Sequence, residues 1–196
     1  MKKKVRYEMI LLGCIGFCLY LVYDLNQSYL HQKWLQPCFL LGSSCVCISW
    51  IGMTIIGDKH VYSMFIQAVF LILAIVFAVL LVYTLFFAIP FKDTYVDESF
   101  KYVCRVGVYA LCRHPGVLFL FGFTLFMSLA LGSSLLLKGC FVFNVCNIIY
   151  VLLQDKYFFP KCFDDYQDYK TKIPFLIPSR KSYYECVNSI GDLHKK

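Results

Sequence analysis

An all-α integral membrane protein is the fold class that the sequence predicts, and three observations carry it. Of 196 residues, 60% are hydrophobic and only 16% charged, whereas soluble domains average roughly 45–50% and about 25%. Apolar runs close to the ~20 residues needed to cross a bilayer recur along the chain. The net charge of +7 is gathered near the ends, with Lys2, Lys3, Lys4 and Arg6 first and Lys156, Lys161, Lys170, Lys172, Arg180, Lys181, Lys195 and Lys196 last. Such clusters meet anionic lipid head groups. The bilayer is therefore the first expected partner, and no nucleic acid is expected, because no recognition module accompanies the charge.

The first apolar run covers roughly Tyr7 to Tyr23. It follows KKK, but DLNQSYLHQK comes next instead of a small-residue cleavage site, so an anchor span is predicted and not a signal peptide. The second span is predicted over Leu35–Ile56 and the third over Met64–Ile89, ended by Pro90. Phe91 to Cys112 is too polar to enter lipid. It still has Tyr95, Phe100, Tyr102, Val103 and Val106 to bury, which predicts an ordered segment at the interface. Two short apolar arms follow, Gly116–Leu131 and Leu135–Leu153, around GSS at Gly132–Ser134. They predict a helical hairpin dipping into the membrane and bring the expected total to about five transmembrane helices. After Tyr150 the chain alternates polar and aromatic residues, and Tyr166, Tyr169, Ile173 and Leu176 recur at near-helical spacing. This predicts an amphipathic cytoplasmic C-terminal segment. The expected organisation is a three-span part, 1–90, and a second part, 91–196.

A hairpin places the 91–112 connector and the tail on one side and, after three spans, the N-terminus on the other. With Lys33, the connector and tail side carries thirteen of the nineteen Lys and Arg, which predicts a cytoplasmic C-terminus. The eleven Cys fall largely in apolar runs, where Cys acts as a small hydrophobe. With no CxxC pair, no metal site is expected. His31 and His60 read as solvated loop residues. Asn144 and Asn147 read as hydrogen bonders between helices.

No glycine-rich nucleotide turn, P-loop, HExxH or GxSxG occurs. The remaining chemistry clusters in two stretches, Gly107–Pro115 (GVYALCRHP) and Gln154–Pro178. Read alone, Arg113 and His114 suit snorkelling at an interface, Asp155–Lys156 a solvated helix start, and Tyr166 and Tyr169 a belt of interfacial aromatics. Their order along the chain adds more. Gly107-x-Tyr109, then Arg113-His114-Pro115, the apolar hairpin, Tyr166-x-x-Tyr169 and the closing Pro174 and Pro178 follow one pattern over the second half. That pattern resembles the core of the isoprenylcysteine carboxyl methyltransferase family, including its bacterial members, which is related to the phospholipid methyltransferases. The chain departs from it in places. Gln154-Asp155 stands for a Glu pair, Val117 for a common Tyr, Phe119 for a common Gly, and Cys162-Phe163 for Phe-Gly.

The resemblance implies S-adenosylmethionine as cofactor and a multi-pass protein of the bacterial cytoplasmic membrane. It implies catalytic roles for Arg113, His114 and Asp155. Cofactor contacts would come from Gly107, Tyr109, Arg113, His114, Pro115, Asp155, Tyr166 and Tyr169. Arg113 would grip the carboxylate of the cofactor's amino-acid end and Asp155 its ammonium. His114, Tyr109, Tyr166 and Tyr169 would serve the adenine, and His114 would assist an amine acceptor in losing a proton. The acceptor would be an amphiphilic small molecule or a lipidated substrate, such as a prenylcysteine-type carboxylate or a lipid amine. Two further functions stay open: a membrane reductase using NADPH, with Lys170, Lys172 and Arg180 for its phosphates, and a non-catalytic membrane scaffold.

Overall fold

A computed structural model describes residues 2–60, 62–88 and 102–190, and all regular structure among them is helical. Pro90, Tyr95, Phe100 and the first part of the expected interfacial connector lie outside the described residues, as do Lys195 and Lys196. Four helical stretches are long and apolar enough to cross a membrane: Lys4–Leu30, Lys33–Ile56, Met64–Phe86 and Ser134–Cys162. The expected fifth, Pro115–Ala130, has 16 residues. At 1.5 Å per residue it reaches about 24 Å, short of a ~30 Å hydrocarbon core. Large apolar side chains point outward on the long helices, with Met64 86% and Ile55 73% exposed. Lipid tails, unlike water, carry no penalty for such a surface.

The chain forms two compact units that interleave along the sequence: 1–76 with 121–158, and 77–120 with 159–196. In the first unit, α1 (Lys2–Leu25) runs on into a π-helical turn, Asn26–Leu30, beyond the predicted end at Tyr23. His31 stops it in the left-handed conformation (φ 53°). Buried Asn26 then holds the loop from both sides: its Nδ2 donates to the Gln32 carbonyl (3.0 Å) and its Oδ1 accepts from the Gln32 N–H (2.7 Å). The second helix, α2 (Cys38–Ile56), starts after Pro37 and packs along α1. Their backbones meet at Gly16 and Gly42, where a Cβ on either would press on the other's carbonyl oxygen. The third, α3 (Met64–Phe86), begins in this unit, and its Gln67 Nε2 donates to the Ala130 carbonyl (3.1 Å).

The two arms around GSS are α5 (Pro115–Ala130) and α6 (Ser134–Leu153); between α3 and α5 lies the single turn α4 (Val108–Leu111). Within the first unit, α6 faces the last part of α5 through buried polar groups. Asn144 Nδ2 donates to Thr124 Oγ1 (3.1 Å) and to the Cys140 carbonyl (2.8 Å). A hairpin is the geometry that lets residues on either side of Gly132 meet in this way. Asn147, for which the same role was expected, is buried on the same helix. Ser133 caps α6 by accepting from the Leu136 N–H (3.4 Å). Gly132 turns the chain at φ 57°, and its carbonyl accepts from the His60 N–H (3.1 Å). A buried cluster of Phe17, Met53, Leu135, Leu136 and Phe143 joins α1, α2 and α6.

The second unit holds the end of α3, α4, the start of α5, and three further helices: α7 (Phe159–Cys162), α8 (Tyr166–Lys172) and α9 (Arg180–Ile190). The spacing expected of an amphipathic tail is realised in α8, where Tyr166, Tyr169 and Ile173 turn inward against Val103, Phe159 and Phe163. A reciprocal pair opens α9: Ser179 Oγ accepts from the Ser182 N–H (3.1 Å), and Ser182 Oγ from the Ser179 N–H (2.9 Å).

Candidate functional site

The second unit gathers most of the residues singled out in the sequence. Gly107 sits at φ 59°, ψ −133°, a conformation costly for any residue with a Cβ, and its N–H donates to Ser189 Oγ (2.9 Å) on α9. The single turn α4 follows, and Tyr109 Oη donates to the Thr84 carbonyl (3.2 Å). Cys112 is extended and wholly buried. Burial pushes its thiol up to about 11, against the opposing pull of the His114 N–H and the Arg113 charge. Pro115, also buried, opens α5, where its missing N–H costs nothing.

Arg113 and His114 bind the tail with main chain and side chain together. The Arg113 N–H donates to the Pro174 carbonyl (2.9 Å) and the His114 N–H to the Phe175 carbonyl (3.3 Å). Arg113 Nη1 donates to the Lys170 and Ile173 carbonyls, both at 2.9 Å, while the guanidinium lies 5.5 Å from the Phe175 ring centre. A cation at the C-terminal carbonyls of α8 is where the helix dipole favours it. His114 is 6% exposed. Its ring stacks on Phe159 (5.8 Å, 16° between planes) and meets Phe175 edge-on (5.1 Å, 70°). Snorkelling alone does not describe this pair, because both reach back into the protein.

Tyr166 and Tyr169 are 1% and 2% exposed, so they form the centre of the cluster and not an interfacial belt. Tyr169 Oη donates to the Tyr109 carbonyl (2.7 Å), and desolvation drives its phenol upward from 10. Beside them Arg105 reaches two carboxylates at 2.6 Å, Asp165 through Nη2 and Asp168 through Nη1. Lys172 joins Asp168 at 2.8 Å. Hydrogen bonds from Lys172 first, and Arg105 next, hold the exposed Asp168 carboxyl below its ordinary 3.8. Sequence reasoning missed Arg105 and Asp165. The available signal was the acidic pair Asp164-Asp165 just ahead of Tyr166.

Asp155 belongs to the first unit. It sits in a π-helical turn, Gln154–Phe158, that prolongs α6, and it is 5% exposed, so it is not a solvated helix start. Its neighbour Gln154 donates from Nε2 to Asp24 Oδ2 (2.9 Å) on α1 and to Tyr150 Oη (2.8 Å). Asp24 was also missed: nothing in the sequence ties position 24 to position 154.

Seven of the eight expected residues thus share one unit: Gly107, Tyr109, Arg113, His114, Pro115, Tyr166 and Tyr169. Arg113, Tyr109, Phe159 and Phe175 remain partly accessible there, whereas the two tyrosines of α8 are interior. One guanidinium, one buried imidazole and three partly accessible rings thus stand together in this unit. Among the described residues, no group of three or more His, Cys, Asp or Glu could hold a metal ion. Compared with known families, curated proteins and solved structures, the chain finds no match.

Proposed function

We propose that the chain is a membrane methyltransferase that uses S-adenosylmethionine on a lipophilic acceptor. One observation carries this reading. The stretch 107–115 and the stretch 166–175, distant in sequence, are joined by hydrogen bonds of Arg113, His114 and Tyr169 around a buried histidine. These are the segments in which the methyltransferase-like pattern lies. The cofactor would supply a methyl group already activated on a sulfonium. The protein would then have to align the acceptor and exclude water. Arg113 would hold a carboxylate. His114, fixed between Phe159 and Phe175, would take a proton from an amine acceptor and would have no such task with a carboxylate acceptor.

Calorimetric titration of the detergent-solubilised protein tests the reading. S-adenosylmethionine is expected to bind, and NADPH is not. Arg113→Gln should weaken binding by about one to two decades, the loss of a charge-assisted hydrogen bond to the ligand's carboxylate, and Arg113→Lys should retain part of it. Equal affinity in wild type and Arg113→Gln would remove Arg113 from the site. A specific observation also favours the scaffold reading: Arg113 already caps α8. Failure of the wild type to bind either cofactor would select it.

A further inference from the structure

A second candidate site lies wholly within the first unit and shares no residue with the candidate site described above. Near the start of α1 a cavity of about 400 Å³ opens between α1, the loop after α2 and the first turn of α6. That volume is in the range of small-ligand sites. Three charges line it: Arg6, Asp58 and Lys138. Arg6 Nη2 holds Asp58 Oδ1 at 2.7 Å, but the Asp58 side chain is 75% exposed, so water screens the pair and a competing anion can replace the carboxylate. Arg6 Nε is buried and has no hydrogen-bond partner among the described residues. A buried guanidinium donor left unmatched is uncommon in a finished structure. Lys138 is exposed and forms no ion pair among the described residues. Among the described residues, two cations therefore line one cavity and one replaceable carboxylate answers them.

The rest of the lining narrows the ligand. Ser134 opens α6 at the cavity wall, and the positive end of that 20-residue helix adds to the field of the two cations. Tyr7 gives a phenol, and Ile10 and Leu135 give apolar wall. α1 and α6 both lie in stretches long and apolar enough to cross a membrane, and a crossing would put their first turns at head-group depth. An anion that presents several oxygens and is joined to apolar chains meets all of these groups. We propose that this cavity binds a phosphate group, the ligand in the membrane being the head group of an anionic phospholipid.

The test is melting of the full chain in detergent with added phosphatidylglycerol, phosphatidylcholine or inorganic phosphate, with retained lipid counted by native mass spectrometry. Phosphatidylglycerol is expected to raise Tm and remain bound, and phosphatidylcholine to do neither. Lys138→Gln is the clean variant, since that side chain holds nothing in the fold. It should weaken retention by about fivefold or more. Arg6→Gln should do at least the same, and Asp58→Asn, by removing the competing carboxylate, should strengthen it. Stabilisation by inorganic phosphate, lost in Lys138→Gln, would support the phosphate site and assign it to the free ion. If neither anion stabilises the wild type, or if Lys138→Gln and Asp58→Asn both retain lipid as the wild type does, the proposal is overturned.

Discussion

Gln154 and Asp24 stand 130 positions apart and meet through one amide–carboxylate hydrogen bond. That contact gives a physical reason for the glutamine. A second carboxylate at position 154 would face Asp24 at hydrogen-bond distance with no proton between them. Gln154→Glu should therefore cost roughly 1–3 kcal/mol and lower Tm by several degrees. Adding Asp24→Asn should restore much of it, because amide and carboxylate then exchange places. Melting of the two single variants and the double variant forms the cycle that isolates the coupling; additive losses would mean that the two residues do not interact. At this scale the sequence was legible by residue type and less so by role. Arg113 and His114 stood out because charge beside an apolar run needs a reason. Their partners are carbonyls some sixty positions away, and a main-chain acceptor leaves no mark in the sequence. Asp24 was illegible for the same reason from the other side: its partner is an ordinary glutamine.

Among the elements, the bend between α5 and α6 was the most legible, since GSS names both the turn and the cap. Gly132 supplies the positive φ, and Ser133 accepts from the Leu136 N–H. Gly132→Ala should be more damaging than an ordinary turn substitution. The backbone there favours glycine, and a Cβ would strike the His60 carbonyl oxygen, which belongs to backbone and cannot swing aside. A loss on the order of 1–3 kcal/mol is expected from strain of this kind. Since the clash involves the loop after α2, hydrogen exchange should quicken around His60 as well as at the bend. Quickening at the bend alone would confine the glycine's role to its φ. The π-helical turns after α1 and α6 were not legible, because NQSYL and QDKYF carry no periodic signal separating i→i+5 from i→i+4 bonding. The turn after α6 decides where Asp155 lies, so the least readable local structure sits at one of the residues that mattered most.

For the molecule as a whole, the order of apolar runs implies a topology, and the first unit fixes part of it. Arg6 pairs with Asp58, and the His60 N–H binds the Gly132 carbonyl, so the start of α1, the end of α2 and the hairpin bend share one end of that unit. Asp24 and Gln154 meet at the other end, so α1 and α6 run parallel. The end with the start of α1 holds Lys2, Lys3, Lys4, Arg6, Lys59 and Lys138, six of the nineteen Lys and Arg. The remaining thirteen belong to the loop with Lys33, the connector, the start of the hairpin and the tail. Orientation follows total Lys and Arg near the spans, and that rule predicts a tail on the cytoplasmic side although KKK begins the chain. In a bacterial host, a green fluorescent protein fused after Lys196 should be bright and an alkaline phosphatase fused there inactive, while the same reporters at the N-terminus should give the reverse. An N-terminal phosphatase without activity, beside a dark C-terminal fluorescent fusion, would mean that the leading lysines set the orientation. The phosphate cavity beside Arg6 and Lys138 would then open to the cytoplasmic leaflet, where anionic lipid is the more abundant partner for a basic surface.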